Sequence, residues 1–99
     1  MISRPLTLPC GAEIPNRLCK AAMTEGLADP AGQPTAALNQ LYSLWSDGGA
    51  GLLLSGNVQI DGDHLERPGN VIVSEEPSAA MLAALEAWAA AGTRAGNHF

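Results

Sequence analysis

Two tripeptides hold the residues best suited to chemistry: Ala22-Met23-Thr24 and Ser55-Gly56-Asn57. Each closes an apolar run and sets small side chains beside a group that can hydrogen-bond. Small residues let a flat ligand approach the backbone closely, and Thr24 can donate or accept a hydrogen bond there. Ordinary loop chemistry accounts for the same residues, since Gly and Asn end strands in many folds.

Other reactive types are less organised. Two cysteines, Cys10 and Cys19, make neither a disulfide framework nor a zinc site. Cys19 lies in an apolar run and is expected as a small buried side chain. The acidic stretch Asp61-Gly62-Asp63-His64-Leu65-Glu66 has Leu65 where a calcium loop needs an oxygen ligand, and Glu66 where it needs glycine. A solvated loop is the expectation. Gly48-Gly49-Ala50-Gly51 follows a helix and opens a strand, the reverse of a phosphate-binding order, so it reads as a helix stop and a packing corner. If Leu18, Lys20 and Ala22 share one strand face, an ammonium enters a covered interior and needs a partner. A carboxylate on a neighbouring strand is the expected partner; a shorter strand with Lys20 reaching water is the alternative.

The elements that must hold these residues follow from local signals. Leu6 to Ile14 reads as two short arms around a Pro-Cys-Gly turn, with Gly11 free to take positive φ. Arg17 to Met23 reads as a strand of mediocre β propensity. A Gly/Pro-rich loop spans Thr24 to Pro34. Thr35 is a plausible N-cap for a helix that ends near Asp47, with Leu38, Leu41, Leu44 and Trp45 as its core stripe. Gly51 to Ser55 is a continuous apolar run, as in strands covered on both faces. A loop from Asn57 to about Pro77 has room for a short strand at Val71 to Val73. From Ser78 an Ala/Leu-rich helix runs to a stop at Gly92, burying Met81, Leu82, Leu85 and Trp88. His98-Phe99 stands where a third strand should begin. Strand and helix alternate, which builds parallel sheets with right-handed connections.

Ninety-nine residues suit one domain and leave no room for a second. The net charge of −5, with five scattered basic residues, argues against nucleic acid and anionic membranes. The N-terminus lacks the apolar core of a secretory signal, and Ala79 to Ala91 is too short to span a bilayer and carries Glu86, so a cytoplasmic location is expected. Two parallel strands and two helices cannot cover both faces of the Gly51 to Ser55 strand. An eight-unit barrel takes ~250 residues, of which this chain would hold about a quarter. The isolated chain is therefore expected to be unstable or to associate with itself.

Three segments, PLTLPCGAEIPNR, KAAMTEGLAD and GAGLLLSGNVQID, resemble the start of the old yellow enzyme family, and the resemblance covers essentially all 99 residues. It implies an FMN-containing (β/α)8 barrel that takes hydride from NADH or NADPH and reduces activated C=C bonds of alkene or enoyl substrates. An ene-reductase or a dienoyl-CoA-reductase-like relative is the implied parent. On this resemblance residues 1–99 are the N-terminal part of a single FMN-binding barrel domain: the plugging hairpin (Leu6 to Ile14) and the first two βα units, cut before strand three. Ala22, Met23 and Thr24 match the segment whose backbone lies against the flavin, and Thr24 the side chain that bonds the flavin edge. Such a donor stabilises the charge that grows on reduction. Gly56, beside Asn57, matches the small residue that leaves room for the ring. A proline is common in the family where Ala22 stands. The family's Gln after strand three, its HPGR-like segment, its substrate-binding His pair and its Tyr proton donor would fall beyond Phe99; His64 and His98 do not match that pair. The resemblance thus implies no catalytic residue, no metal, and a chain that by itself is inactive and holds FMN poorly or not at all. A small interaction module using exposed apolar helices is the competing reading. A dinucleotide-binding half domain is disfavoured, because no glycine loop joins a strand to a helix.

Overall fold

The chain begins with an antiparallel hairpin, β1 (Leu6–Thr7) against β2 (Glu13–Ile14), with Leu6 opposite Ile14. Its turn is closed by Gly11 N–H donating to the Leu8 carbonyl at 2.9 Å, and Gly11 has φ +90°. The computed structural model describes all residues, 1–99. After the hairpin come β3 (Cys19–Lys20), α1 (Ala36–Asp47) and β4 (Leu52–Leu53). Then follow β5 (Val58–Gln59), β6 (Val71–Ile72) and α2 (Ala79–Gly92).

β3 and β4 are parallel, with Cys19 beside Leu52 and Lys20 beside Leu53. His98 adds to the far side of β4 through a parallel bridge to Leu52. Its N–H donates to the Gly51 carbonyl and its carbonyl accepts from Leu53 N–H, both at 2.9 Å. The third strand thus starts where the alternation placed it. The regular pairing is far shorter than the 17–23 and 51–55 runs, although single hydrogen bonds extend past it: the Leu18 carbonyl accepts from Gly51 N–H at 3.1 Å and Leu54 N–H donates to the Lys20 carbonyl at 3.0 Å.

Local signals set both helices. Thr35 caps α1 by accepting from Leu38 N–H at 3.2 Å, and Ser78 caps α2 by accepting from Met81 N–H at 3.1 Å. Gly48 closes α1, its N–H reaching the Leu44 carbonyl at 3.0 Å. The expected stripes hold at Leu38, Met81 and Trp88, with Trp45 and Leu85 packed against the core, and fail at Leu44 and Leu82. In α1 the buried residues are Leu38, Tyr42 and Ser46, while Leu44 is 63% exposed. In α2 they are Met81, Trp88 and Gly92, while Leu82 is 50% exposed. The reason is the centre of the core, an aromatic cluster rather than a leucine seam. Tyr42 meets Trp88 edge-on at 5.3 Å and lies 4.8 Å from Phe99, with Leu38, Leu53 and Val71 around them. Ser46 is buried because it is satisfied: it donates to Asn97 Oδ1 and accepts from Ala95 N–H.

Two further expectations are corrected. Cys19 is exposed, not buried, because it shares the face of Leu52 that points away from the helices. On that same face Leu54 is 46% exposed. The 57–77 segment holds not one short strand but a parallel pair, Val58 beside Val71 and Gln59 beside Ile72. Val58–Gln59 is too short to show any periodicity. This pair also joins the loop after β3, since Ile72 N–H donates to the Gly32 carbonyl and Ala28 N–H to the Gly69 carbonyl, each at 2.9 Å.

Candidate functional site

The parallel register brings the C-terminal ends of β3 and β4 to the same edge of the sheet, the edge at which parallel α/β folds place ligands. Ala22, Met23 and Thr24 follow β3; Gly56 and Asn57 follow β4. The two tips touch: Asn57 Nδ2 donates to Thr24 Oγ1 at 2.6 Å. Thr24 still has its own hydroxyl hydrogen to give. Ala22 and Met23 are exposed, and no protein group accepts from the backbone N–H of Ala22, Met23 or Thr24. All five expected residues therefore lie together, with backbone donors that no protein group engages.

Gly56 has a reason for being glycine that the sequence did not show. A Cβ there would fall on the Met23 carbonyl oxygen and on the Glu25 carboxylate, whose Cδ would be 2.8 Å away. Only a residue without a side chain lets the tips approach this closely.

Glu25 is the residue that sequence reasoning passed over. Its Oε1 accepts from Gly56 N–H at 2.9 Å and from the Tyr42 hydroxyl. No local pattern signals this, since the partners lie 31 and 17 residues away. Tyr42 is fully buried, and burial first, then the hydrogen bond to Glu25, pushes its hydroxyl well above the ordinary value of 10.0. A raised folded-state value stabilises the fold fully below about pH 10. That contribution is lost as pH climbs from there toward the folded value. Tyr42 is the only tyrosine of the chain. Its ultraviolet tyrosinate signal should therefore stay absent somewhat above pH 10 in the folded chain and appear when denaturant is added at the same pH. Tyrosinate growing in with the ordinary midpoint in the folded chain would contradict the buried geometry.

Lys20 does not form the expected ion pair. The three salt bridges are His64–Asp61, Arg67–Glu66 and Arg94–Asp47. Instead Lys20 Nζ donates to the carbonyls of Leu54 at 2.5 Å and Ala21 at 2.8 Å, and stands 4.6 Å from the Trp45 ring centroid. Its register with Leu53 turns it toward the helices, where carbonyls and ring faces replace water. Desolvation lowers its pKa, opposed by the nearby Glu25 charge. In the acidic loop, Asp61 is tied to Asp63 N–H at 2.9 Å and His64 Nδ1 at 2.6 Å.

Two consecutive βα units with parallel strands and converging tips are the repeating arrangement of a (β/α)8 barrel. No protein-family model matches the chain. Curated relatives do. The chain is 36% identical over 88 residues to the NADH-dependent flavin oxidoreductase iliE of Hypocrea jecorina, covering 88% of this chain and 22% of that protein. It is 39% identical over 85 residues to iliE of a Neonectria species, covering 86% of this chain and 11% of that protein. In structure, 99% of the chain matches the old yellow enzyme homologue of Zymomonas mobilis with a TM-score of 0.77 at 24% identity, over 26% of that chain. Morphinone reductase matches 97% of it with a TM-score of 0.75 at 23% identity, over 24% of that chain. The chain spans about a tenth to a quarter of the length of these proteins. The chain is thus similar in sequence to part of the NADH-dependent flavin oxidoreductases, and its fold is the corresponding part of the barrel seen in old yellow enzyme homologues. No helix is long and apolar enough to cross a membrane.

Proposed function

We propose that these 99 residues are the N-terminal part of an FMN-dependent NAD(P)H oxidoreductase acting on activated alkenes or enoyl compounds, an ene-reductase or a dienoyl-CoA-reductase-like enzyme of the cytoplasm. They supply one wall of the flavin site and are inactive alone. The observation that carries this reading is the junction of the two strand tips at the Thr24–Asn57 hydrogen bond. The residues present fit a flavin. The N–H groups of Ala22, Met23 and Thr24 have no acceptor within the protein, and the Thr24 hydroxyl keeps a hydrogen to donate. Bound FMN would supply the hydride chemistry. Ala22, Met23 and Thr24 would contact it through backbone and side-chain donors, with Gly56 and Asn57 fixing their position. Relatives named NADH-dependent favour NADH as the reductant. The sheet edges and the exposed Leu54 and Leu82 support self-association of the isolated chain.

The test compares the isolated chain with the intact flavoprotein. The isolated chain is expected to show no saturable quenching of FMN fluorescence, whereas the intact protein binds it. Replacing Thr24 by Val in the intact protein removes a donor worth about 1.5–3 kcal/mol to a charged acceptor. That should lower the two-electron potential of bound FMN by roughly 30–65 mV. An unchanged potential and flavin spectrum would remove Thr24 from the site.

A further inference from the structure

Building on the flavin reading above, we propose that Glu25 is a positioning residue that clamps the two flavin-facing strand tips to helix α1. Its carboxylate turns back beneath the tips instead of pointing to water. One oxygen, Oε1, takes both the Gly56 N–H at 2.9 Å and the Tyr42 hydroxyl. The three groups so joined belong to the segment after β3, the segment after β4 and the middle of α1. Tyr42 is itself fixed, being fully buried and in contact with Trp88, Trp45 and Phe99. Lys20, 5.5 Å from the Tyr42 ring centroid, adds to the brace by donating to the carbonyl of Leu54 two residues before Gly56.

The rigid end of this chain is the aromatic core, and its free end is the ligand edge. Glu25 follows Thr24 directly and reaches Gly56, which precedes Asn57, so it sets the separation across which Asn57 meets Thr24. A carboxylate partly removed from water persists there because two donors satisfy it. Its role depends on reach, not on charge. A glutamine keeps an acceptor oxygen at the same distance, whereas an aspartate keeps the charge and withdraws the oxygen by one bond.

The test uses the intact flavoprotein containing these residues and measures the FMN dissociation constant of the apoprotein, the visible spectrum of bound FMN and the thermal midpoint. Glu25→Asp is expected to weaken FMN binding about tenfold and shift the flavin bands, while Glu25→Gln stays within about threefold with parental bands. Equal affinities for Asp and parent would overturn the proposal, as would a Gln variant weaker than Asp, which would assign the effect to charge. Thr24→Val separates the two levels. If it leaves affinity and spectrum at parental values, the placing of the strand-tip segment against the flavin fails. If it changes them while Glu25→Asp does not, only the clamp is wrong.

Discussion

Gly56→Ala should force the two strand tips apart, costing the chain about 1–3 kcal/mol and breaking the Thr24–Asn57 contact. The methyl has nowhere to go. Its position coincides with the Met23 carbonyl oxygen, which is backbone, and with the Glu25 carboxylate, which is held by Tyr42. Moving the Glu25 carboxylate undoes its hydrogen bonds to Gly56 N–H and the Tyr42 hydroxyl, and moving the Met23 carbonyl shifts the backbone next to Thr24. Gly62→Ala is the matched control, because a Cβ there meets only Ile72 methyl groups at 3.8 Å. It should change stability by less than about 0.5 kcal/mol. Urea unfolding of both variants checks the contrast, and in the intact flavoprotein only Gly56→Ala should weaken FMN. Indistinguishable unfolding curves would mean that the tips are not in contact.

Trp88→Ala should strip the chain of its fixed tertiary packing. Removing a buried tryptophan costs about 3–5 kcal/mol, and a chain of this length has roughly 5–15 kcal/mol in all. This chain belongs at the low end, since only 14 of its 99 residues are buried. Trp88 is 5% exposed and touches both Tyr42 and Phe99, so its loss opens the aromatic cluster that joins α1, α2 and the start of the third strand. Near-ultraviolet circular dichroism should collapse while much of the helical signal persists. Trp88→Phe should be far milder, because the indole Nε1 has no hydrogen-bond partner to lose and a ring still fills the space. A Phe variant as damaged as the Ala variant would show that shape, and not apolar burial, holds the core.

How much of this was legible in the sequence depends on how far each signal reaches. Thr35, Gly48 and Ser78 act on neighbours three or four residues away, and the helix limits they mark agree with the structure. Strand–helix–strand order fixed the parallel sense of β3 and β4, because a crossover through a helix returns the chain in the same direction. With the sense came the shared edge, and so the gathering of Ala22, Met23, Thr24, Gly56 and Asn57. The stripes held at Leu38, Met81 and Trp88 but not throughout: periodicity names a face, yet the apolar arc of each helix was wide enough for aromatic packing to bury Tyr42 and leave Leu44 and Leu82 exposed.

The sequence by itself determined the order and direction of the elements and which residues stand at their ends, since caps, breakers and alternation are properties of adjacent residues. Tertiary structure alone decided that Glu25 reaches Gly56 and Tyr42, that Lys20 is solvated by carbonyls and a ring, and that Cys19 faces outward. Those outcomes depend on register and on how the helices seat against the sheet. They bring together groups tens of residues apart, and no local preference encodes such distances.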